Sequence, residues 1–215
     1  MKGMPFIPEL NREVLAIVDP PFFSGPNKKN YYKGGNSKKY IDYSSIEKWE
    51  VPKQNYFNEL LKVSANQIIW GINYFHIKYI GPGRIIWDKK NSTSSFSDAE
   101  IAFCGLENHV RIFRYLWNGF LQENLKEKEI KIHPTQKPIA LYKWCLQKYA
   151  RPGQLILDTH MGSGSLICAC IEEGYDYIAF ETDKYYYQEA DKRIQEFKKR
   201  HKRELFKKSG GKIIK

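Results

Sequence analysis

The sequence predicts an α/β fold whose sheet is doubly wound and mainly parallel. Short apolar runs suited to buried strands recur along the chain, and turn or charged residues end each of them. Helical stripes lie between these runs, which is typical of a parallel sheet covered by helices on both faces. The predicted strands cover residues 14–18, 67–71, 84–87, 100–104, 110–115, 155–157 and, after a turn, the end of 174–180, with the fourth and fifth as an antiparallel pair.

The spacing of apolar residues also predicts the helices. Pro138 suits the first turn of its helix, where its missing N–H would have no partner in any case. Asp183 can cap the last helix with its side chain. Residues 117–131 are polar and charged and fit either a helix or a loop. The predicted helices cover residues 54–63, a short segment at 72–79, 138–149, 165–171 and a long segment from 183 into the C-terminal tail.

The segment from Asp158 to Ser165, DTHMGSGS, directly follows a predicted buried strand and precedes a predicted buried helix. A strand, a glycine turn and a helix place backbone N–H groups and a carboxylate at one edge of a sheet. Glycine is needed there because a side chain would keep a ligand away from the backbone. The segment predicts a crevice for a small molecule, although a glycine turn after a strand also occurs as a purely structural feature.

A second acidic residue ends the following strand. Glu181 lies 23 residues after Asp158. An acidic residue about 20 positions beyond the first strand is where such folds bind ribose hydroxyls. The pair therefore predicts a nucleoside-containing cofactor.

The first predicted strand ends at Asp19, Pro20, Pro21 and Phe22. Two prolines directly after a strand end it and fix an extended, rigid turn. This turn holds the Asp19 side chain and the Pro20 carbonyl at the carboxyl end of the strand, where open α/β sheets bind their ligands.

The segment 24–54 that follows is rich in lysine, tyrosine and glycine and has no sustained period, so we expect a long loop. Lysines interleaved with tyrosines suit phosphate contacts and base stacking, as well as a solvated surface loop. The candidate nucleic-acid-binding residues in it are Lys28, Lys29, Tyr31 and Tyr32.

Composition narrows the class of protein. The 215 residues carry a net charge of +11, and the tail 192–215 alone holds 11 Lys and Arg against two acids, which suggests a polyanionic partner or a solvated helix. No apolar run approaches the roughly 20 residues of a membrane span, and no signal peptide is evident. We expect four reduced, buried cysteines, a cytoplasmic location and no metal site, because His133 and His160 lack partners at ligand spacing.

Three motifs follow one another along the chain: DPPF at 19–22, HPTQKP at 133–138 and LDTHMGSGS at 157–165. Together they resemble S-adenosylmethionine-dependent DNA amino-methyltransferases of the DNA methylase N-4/N-6 family, in the order of the beta class. The pairing of the last two motifs is most similar to the small phage and prophage adenine methyltransferases. The resemblance runs from about Val14 to Ile194.

The resemblance implies a Rossmann-like methyltransferase fold in a single domain, with S-adenosylmethionine as cofactor and double-stranded DNA as partner of a monomer or homodimer. It assigns catalysis to Asp19, Pro20, Pro21 and Phe22, with Phe22 stacking on a flipped base. Lys137 would lie near the carboxylate of the cofactor. The implied cofactor residues are Thr135, Lys137, Pro138, Asp158, Thr159, His160, Gly162, Ser163, Gly164, Ser165 and Glu181.

Within this family the residues favour site-specific methylation of adenine N6, because the cytosine N4 branch more often has serine in the position of Asp19. Methylation of cytosine N4, of RNA or of a protein amide stays open. So does a shortened DNA-binding remnant with weak activity: only 13 residues precede Val14, so an N-terminal strand of the family is expected to be missing or shortened. Candidate target-recognition segments are 24–54 and 91–131.

Overall fold

The computed structural model describes residues 13–23, 49–78, 80–91, 97–118, 121–125 and 128–209, and a seven-stranded sheet forms its centre. A separate hairpin pairs two-residue strands, β6 (Trp117–Asn118) and β7 (Leu121–Gln122). The strands of the main sheet are β1 (Val14–Val18), β2 (Asn66–Trp70), β3 (Arg84–Asp88), β4 (Ala99–Cys104), β5 (Val110–Arg114), β8 (Leu155–Asp158) and β9 (Tyr177–Ala179).

Helices cover both faces of this sheet. They are α1 (Gln54–Val63), α2 (Ile139–Tyr149), α3 (Ser165–Glu173) and α4 (Lys184–Lys208). The side chains of β1 alternate between the faces: Leu15 and Ile17 pack with α2, α3 and α4, whereas Ala16 and Val18 pack with α1. The prediction of a doubly wound sheet is confirmed.

The strand order of the main sheet is β5-β3-β4-β2-β1-β8-β9, and of its described strands β4 alone runs antiparallel to its neighbours. The fourth and fifth strands run antiparallel to each other, as predicted, but they do not pair, because β3 lies between them and β5 pairs with β3 in parallel. Gly83 makes this crossing possible. A Cβ on Gly83 would lie 2.1 Å from the Glu107 carbonyl oxygen, so the loop after β4 passes directly over its backbone.

The order places a topological switch point between β1 and β8. The chain leaves β1 for β2 in one direction and leaves β8 for β9 in the other, with connecting helices on opposite faces. Ligands of open α/β sheets bind at the carboxyl ends of the strands beside such a point. Asp19 and Asp158 stand at these ends and flank the crevice.

Other local predictions fared differently. Asp183 caps α4, accepting hydrogen bonds from the Tyr185 and Tyr186 amides. Pro138 is the residue before the first turn of α2 and not part of that turn. Of the predicted helix at 72–79, the described residues form a single 3₁₀ turn at Ile72–Tyr74. The described residues of 117–131 form the small hairpin and irregular backbone, which agrees with the loop alternative. Gly71 in the left-handed region, with φ of 70°, precedes the 3₁₀ turn, and extended backbone at Phe75 ends it.

Three further expectations concern the N-terminal strand, membrane-spanning helices and the cysteines. Residues 1–12 lie outside them, so the expected loss of an N-terminal strand stays a prediction. Within the described part of the chain, no helix is long and apolar enough to cross a membrane. The four cysteines are buried and unpaired, as expected for packing residues.

Candidate functional site

Asp19 lies at the centre of the site, directly after β1 and beside Pro20, which is buried. Its carboxylate forms a close ion pair with the Lys137 ammonium. Lys137 Nζ also lies 3.0 Å from Glu100 Oε2, although Glu100 belongs to β4, two strands away from β1. The Lys137 side chain is only 3% exposed. In the structure the Lys137 ammonium therefore pairs with the carboxylate that is predicted to be catalytic. The sequence did not indicate this contact.

The charges of this group are strongly coupled. Burial and the Glu100 charge raise the pKa of Asp19, although Lys137 opposes them. Burial alone would raise the pKa of Glu100, but Lys137 and Lys89 together lower it to about 2. Burial would likewise lower the pKa of Lys137, and the two carboxylates raise it overall. Lys137 is therefore a cation held between two anions.

The glycine turn lies beside Asp19, across the switch point. Gly162 and Gly164 have φ of 51° and 71°, in the left-handed region that favours glycine. A Cβ on Gly164 would lie 2.9 Å from Ile194 Cδ1, so the turn also packs closely on α4. Ser163 and Ser165 hydroxyl groups lie 3.1 Å apart beneath it.

Two carboxylates border the turn. Glu181 accepts hydrogen bonds of 2.9 Å from the Gly162 amide and of 2.9 Å from the Asp183 amide, one on each oxygen. Asp158 accepts one of 3.0 Å from the His160 amide. Burial, with the nearby charges of Asp19 and Glu181, raises the pKa of Asp158 to about 8. Because burial and like charges oppose the ionised form of Asp158, a cationic ligand would offset this cost and bind favourably in the crevice.

Aromatic and polar groups hold the neighbouring segments in place. The His133 ring stacks on Trp49 with centroids 5.5 Å apart and contacts Tyr186 at 4.2 Å. Burial, with the Lys137 and Lys131 charges, lowers the pKa of His133 to about 3, so the ring is neutral at physiological pH. Thr135 Oγ1 lies 3.2 Å from His133 Nδ1. A Cβ on Gly162 would lie 3.6 Å from His133 Cε1, so the HPTQKP segment also packs against the glycine turn.

The opposite wall comes from α1, which the sequence did not connect with the site. The Tyr56 hydroxyl lies 2.5 Å from Thr159 Oγ1 and 3.5 Å from His160 Nδ1. Burial lowers the pKa of His160 to about 4, so this ring is also neutral. Both histidines are thus packing and hydrogen-bonding residues in the structure. Among the described residues, no cluster of three or more His, Cys, Asp or Glu could hold a metal.

Phe22 lies near the crevice with one face of its ring covered. It stacks on Tyr74 with centroids 4.2 Å apart and planes 8° from parallel, while Tyr74 is 55% exposed. A Cβ on Gly71 would lie 3.1 Å from Phe22 Cδ1, so Gly71 leaves room for the ring. A base that stacks on Phe22 must take the free face or displace Tyr74.

The described residues on either side of the lysine-rich segment 24–48 lie close together. Phe23 and Trp49, on either side of residues 24–48, have ring centroids 5.3 Å apart. The candidate DNA-binding residues Lys28, Lys29, Tyr31 and Tyr32 lie outside the described residues, so their roles stay predictions. Of the second candidate recognition segment, 91–131, β4 and β5 belong to the main sheet.

One basic residue of the tail has a structural role. Arg193 donates hydrogen bonds to the Ser163 carbonyl at 2.7 Å and the Ser165 hydroxyl at 3.0 Å, and pairs with Glu129 at 2.7 Å. Glu129 in turn accepts the Ile139 amide at the start of α2. Arg193 therefore supports the glycine turn from behind. Its place within a run of basic residues concealed this function.

The chain is similar to known DNA methylases. The sequence profile of the DNA methylase family matches residues 86–192. The type II methyltransferase M.HpaI of Haemophilus parainfluenzae is 36% identical, over 86% of this chain and 69% of that protein. M.HinfI of Haemophilus influenzae is 24% identical, over 86% of this chain and 63% of that protein. The chain thus spans about two thirds of the length of these relatives.

A solved structure shares the fold. The M1.HpyAVI–SAM complex superimposes with a TM-score of 0.51 and 22% identity, covering 86% of this chain and 89% of that one. At this level of identity the likeness concerns the fold. It agrees with a Rossmann-like α/β sheet whose ligand crevice lies at the carboxyl ends of the central strands.

Proposed function

This chain belongs to the N6/N4 DNA methylase family, and on this basis we propose that it transfers a methyl group from S-adenosylmethionine to adenine N6 in double-stranded DNA. One observation carries the proposal. The Asp19 carboxylate ends the central strand β1 at the switch point, directly beside the glycine turn that ends β8. An amino group and a methyl donor can meet at this point.

The residues of the turn fit the cofactor. The backbone at Gly162 is partly exposed and can approach a ligand, and the Asp158 and Glu181 carboxylates suit the positive charge and the ribose hydroxyls of S-adenosylmethionine. Thr135, Pro138, Thr159, His160, Ser163 and Ser165 would complete the walls. When bound, this cofactor supplies an activated methyl group on its sulfonium. Everything else must come from the protein and the DNA.

Asp19 and Pro20 would activate the target amino group. The lone pair of adenine N6 is delocalised into the ring, which makes this nitrogen a poor nucleophile. The Asp19 carboxylate and the Pro20 carbonyl would accept the two N6 hydrogens and so favour a pyramidal nitrogen with a directed lone pair. This is catalysis by orientation and electrostatics. The proton released afterwards passes to Asp19 or to solvent.

The contact of Phe23 with Trp49 supports a role of the lysine-rich loop in DNA binding. Both ends of the segment 24–48 lie next to the catalytic turn, so its lysines and tyrosines would face the DNA strand around the target base. Double-stranded DNA also agrees with a net charge of +11.

The basic end of α4 is a different surface. Lys198 Nζ lies 5.9 Å from the ring centroid of Tyr177, the first residue of β9, so α4 runs away from the catalytic edge. At 1.5 Å per residue, Lys208 lies roughly 33 Å along the helix from Tyr186. DNA contact by this tail stays a prediction, and it would involve phosphates outside the target site.

The proposal is tested by incubating the purified protein with unmethylated genomic DNA and methyl-labelled S-adenosylmethionine. Nucleoside analysis should show N6-methyladenine, and modified-base sequencing should give its recognition site. N4-methylcytosine would replace adenine by cytosine as the target. Label only in RNA or protein, or no label at all while the protein binds S-adenosylmethionine, would contradict the proposal.

Phe22→Ala is expected to weaken target-base capture. The lost stacking is worth about 1–3 kcal/mol, and the defect should be smaller on a mismatched target base, which costs less to extrude. Single-turnover methylation of matched and mismatched duplexes measures it. Phe206→Ala, at an exposed position on α4, is the control and should leave both rates unchanged. Equal losses on the two duplexes would contradict a role in base flipping.

Glu181→Ala is expected to weaken cofactor binding by about 1–3 kcal/mol. Because Glu181 also holds the Gly162 and Asp183 amides, the ribose contribution needs a double-mutant cycle. Calorimetry should show that the wild type binds S-adenosylhomocysteine more tightly than at least one of its 2′-deoxy and 3′-deoxy analogues. In the variant this difference in affinity should disappear. A preference for both hydroxyls that survives in the variant would place the ribose elsewhere.

A further inference from the structure

A chain of four alternating charges starts at Asp19 and runs along the carboxyl edge of the sheet. Lys137 pairs with Asp19 and, at 3.0 Å, with Glu100 Oε2. The other oxygen of Glu100 lies 2.7 Å from Lys89 Nζ. The side chains are little exposed, at 16% for Asp19, 27% for Glu100 and 14% for Lys89. Asp19 is therefore one end of a network of two anions and two cations.

The fold brings these residues together from separate elements. Asp19 follows β1, Lys137 precedes α2, Glu100 lies in β4 and Lys89 follows β3. Because β4 is antiparallel, a residue near its start lies at the same edge as the ends of the parallel strands. Lys137 Nζ lies 5.8 Å from the Trp70 ring centroid at the end of β2, and so reaches across β2 from β1 to β4.

Glu100 competes with Asp19 for a single ammonium. A lysine that faces one carboxylate pairs with it fully, and the oxygens it covers become weaker acceptors for any other donor. With two carboxylates in contact, the ammonium divides its attraction between them. Lys89, which also lies 5.1 Å from the Trp87 ring centroid, holds the second oxygen of Glu100 and keeps it in this position.

We propose that Glu100 is a positioning residue for methyl transfer, which shares the Lys137 ammonium with Asp19 and thereby keeps the Asp19 carboxylate able to accept the hydrogens of the target amino group. This inference rests on the proposed function for its catalytic meaning. Its electrostatic part, the action of Glu100 on Asp19, concerns the free protein alone. The two parts can be tested separately.

The groups that act on Asp19 come from every neighbouring element. Burial raises the pKa of Asp19, Lys137 and Lys89 lower it, and Glu100 raises it. Three more groups share electrostatic contact with Asp19, namely Asp158 on β8, Tyr142 on α2 and Tyr56 on α1. Removing the Glu100 charge while these stay in place must lower the pKa of Asp19, because Lys137 then acts on Asp19 alone.

The test uses Glu100→Gln, which keeps the size of the side chain and removes its charge. The Asp19 carboxyl carbon is followed by NMR through a pH titration of the free protein, with Asp19→Asn to assign its signal. Asp19 should titrate at lower pH in Glu100→Gln than in wild type. In methylation assays, kcat should fall about tenfold, the KM values should change less than about twofold, and the acidic limb of the pH–rate profile should move to lower pH.

Two further variants separate positioning from folding. Glu100→Asp keeps the charge and should restore most of the Asp19 titration and of kcat. Glu172→Gln removes an equivalent charge from an ion pair outside the site, in which Glu172 lies 2.5 Å from Lys143. This variant should change neither the Asp19 titration nor kcat. If Asp19 titrates at the same or a higher pH in Glu100→Gln, the inference is wrong, whatever the methylation assay shows. If Glu100→Gln lowers the pH at which Asp19 titrates but the wild type methylates no DNA, the proposed function fails and the electrostatic action of Glu100 stands.

Discussion

Asp19→Ala is expected to reduce methyl transfer by about two orders of magnitude or more, the scale of losing one preorganised electrostatic contact in a catalytic site. The variant removes the acceptor at the end of β1 and leaves the glycine turn on β8 intact. Cofactor binding should therefore stay close to that of the wild type. Single-turnover methylation with saturating S-adenosylmethionine measures the loss, and calorimetry measures the cofactor affinity.

Asp19→Asn distinguishes hydrogen-bond acceptance from a merely steric role. It keeps the size of the side chain but replaces one acceptor oxygen with a donor amide, which opposes an N6 hydrogen. It should be nearly as inactive as Asp19→Ala. Both variants also leave Lys137 with Glu100 as its remaining anion, so folding should be checked by thermal unfolding. An Asp19→Ala protein that folds and methylates at the wild-type rate would refute the catalytic assignment and the proposed mechanism with it.

The sequence predicted those parts of the site that depend on local pattern. An apolar run followed by Asp19 and two prolines defines the end of a strand without knowledge of its neighbours. The same is true of the run before Asp158 and of the glycine turn after it, whose left-handed φ values the structure shows. Because every parallel strand ends at the same edge, these separate local patterns were enough to predict one crevice.

The parts that depend on strand order were beyond the sequence. Glu100 reaches Lys137 because β4 inserts antiparallel beside β2, and no local pattern reports which strands are neighbours. The contact of Lys137 with Asp19 likewise joins residues 118 positions apart. The passage of the chain over Gly83 decides the position of β5, yet in the sequence Gly83 is simply one residue of a turn.

Lys137→Met is expected to have the largest effect on stability. Removing one partner of a buried ion pair leaves its partner buried without compensation, which costs about 3–5 kcal/mol. Here Asp19 would lose its paired cation, and Glu100 would keep Lys89 alone. Urea unfolding of both proteins at pH 7.5 measures the difference. The matched control is Lys143→Met, whose pair with Glu172 is about one-third exposed on both sides and should cost no more than about 1 kcal/mol.

The pH dependence of this loss identifies its cause. In the wild type the pKa of Glu100 is lowered to about 2, so its ionised form stabilises the folded protein above the unfolded pKa, and this contribution is lost as the pH falls toward 2. Without Lys137, the pKa values of Asp19 and Glu100 both rise relative to the wild type, because burial then meets less opposition. The folded variant therefore takes up protons more readily than the folded wild type. The variant should thus gain stability relative to wild type as the pH falls from 7.5 to 4.5. A stability difference that stays constant over this range would show that Lys137→Met acts through lost packing and not through the two carboxylates.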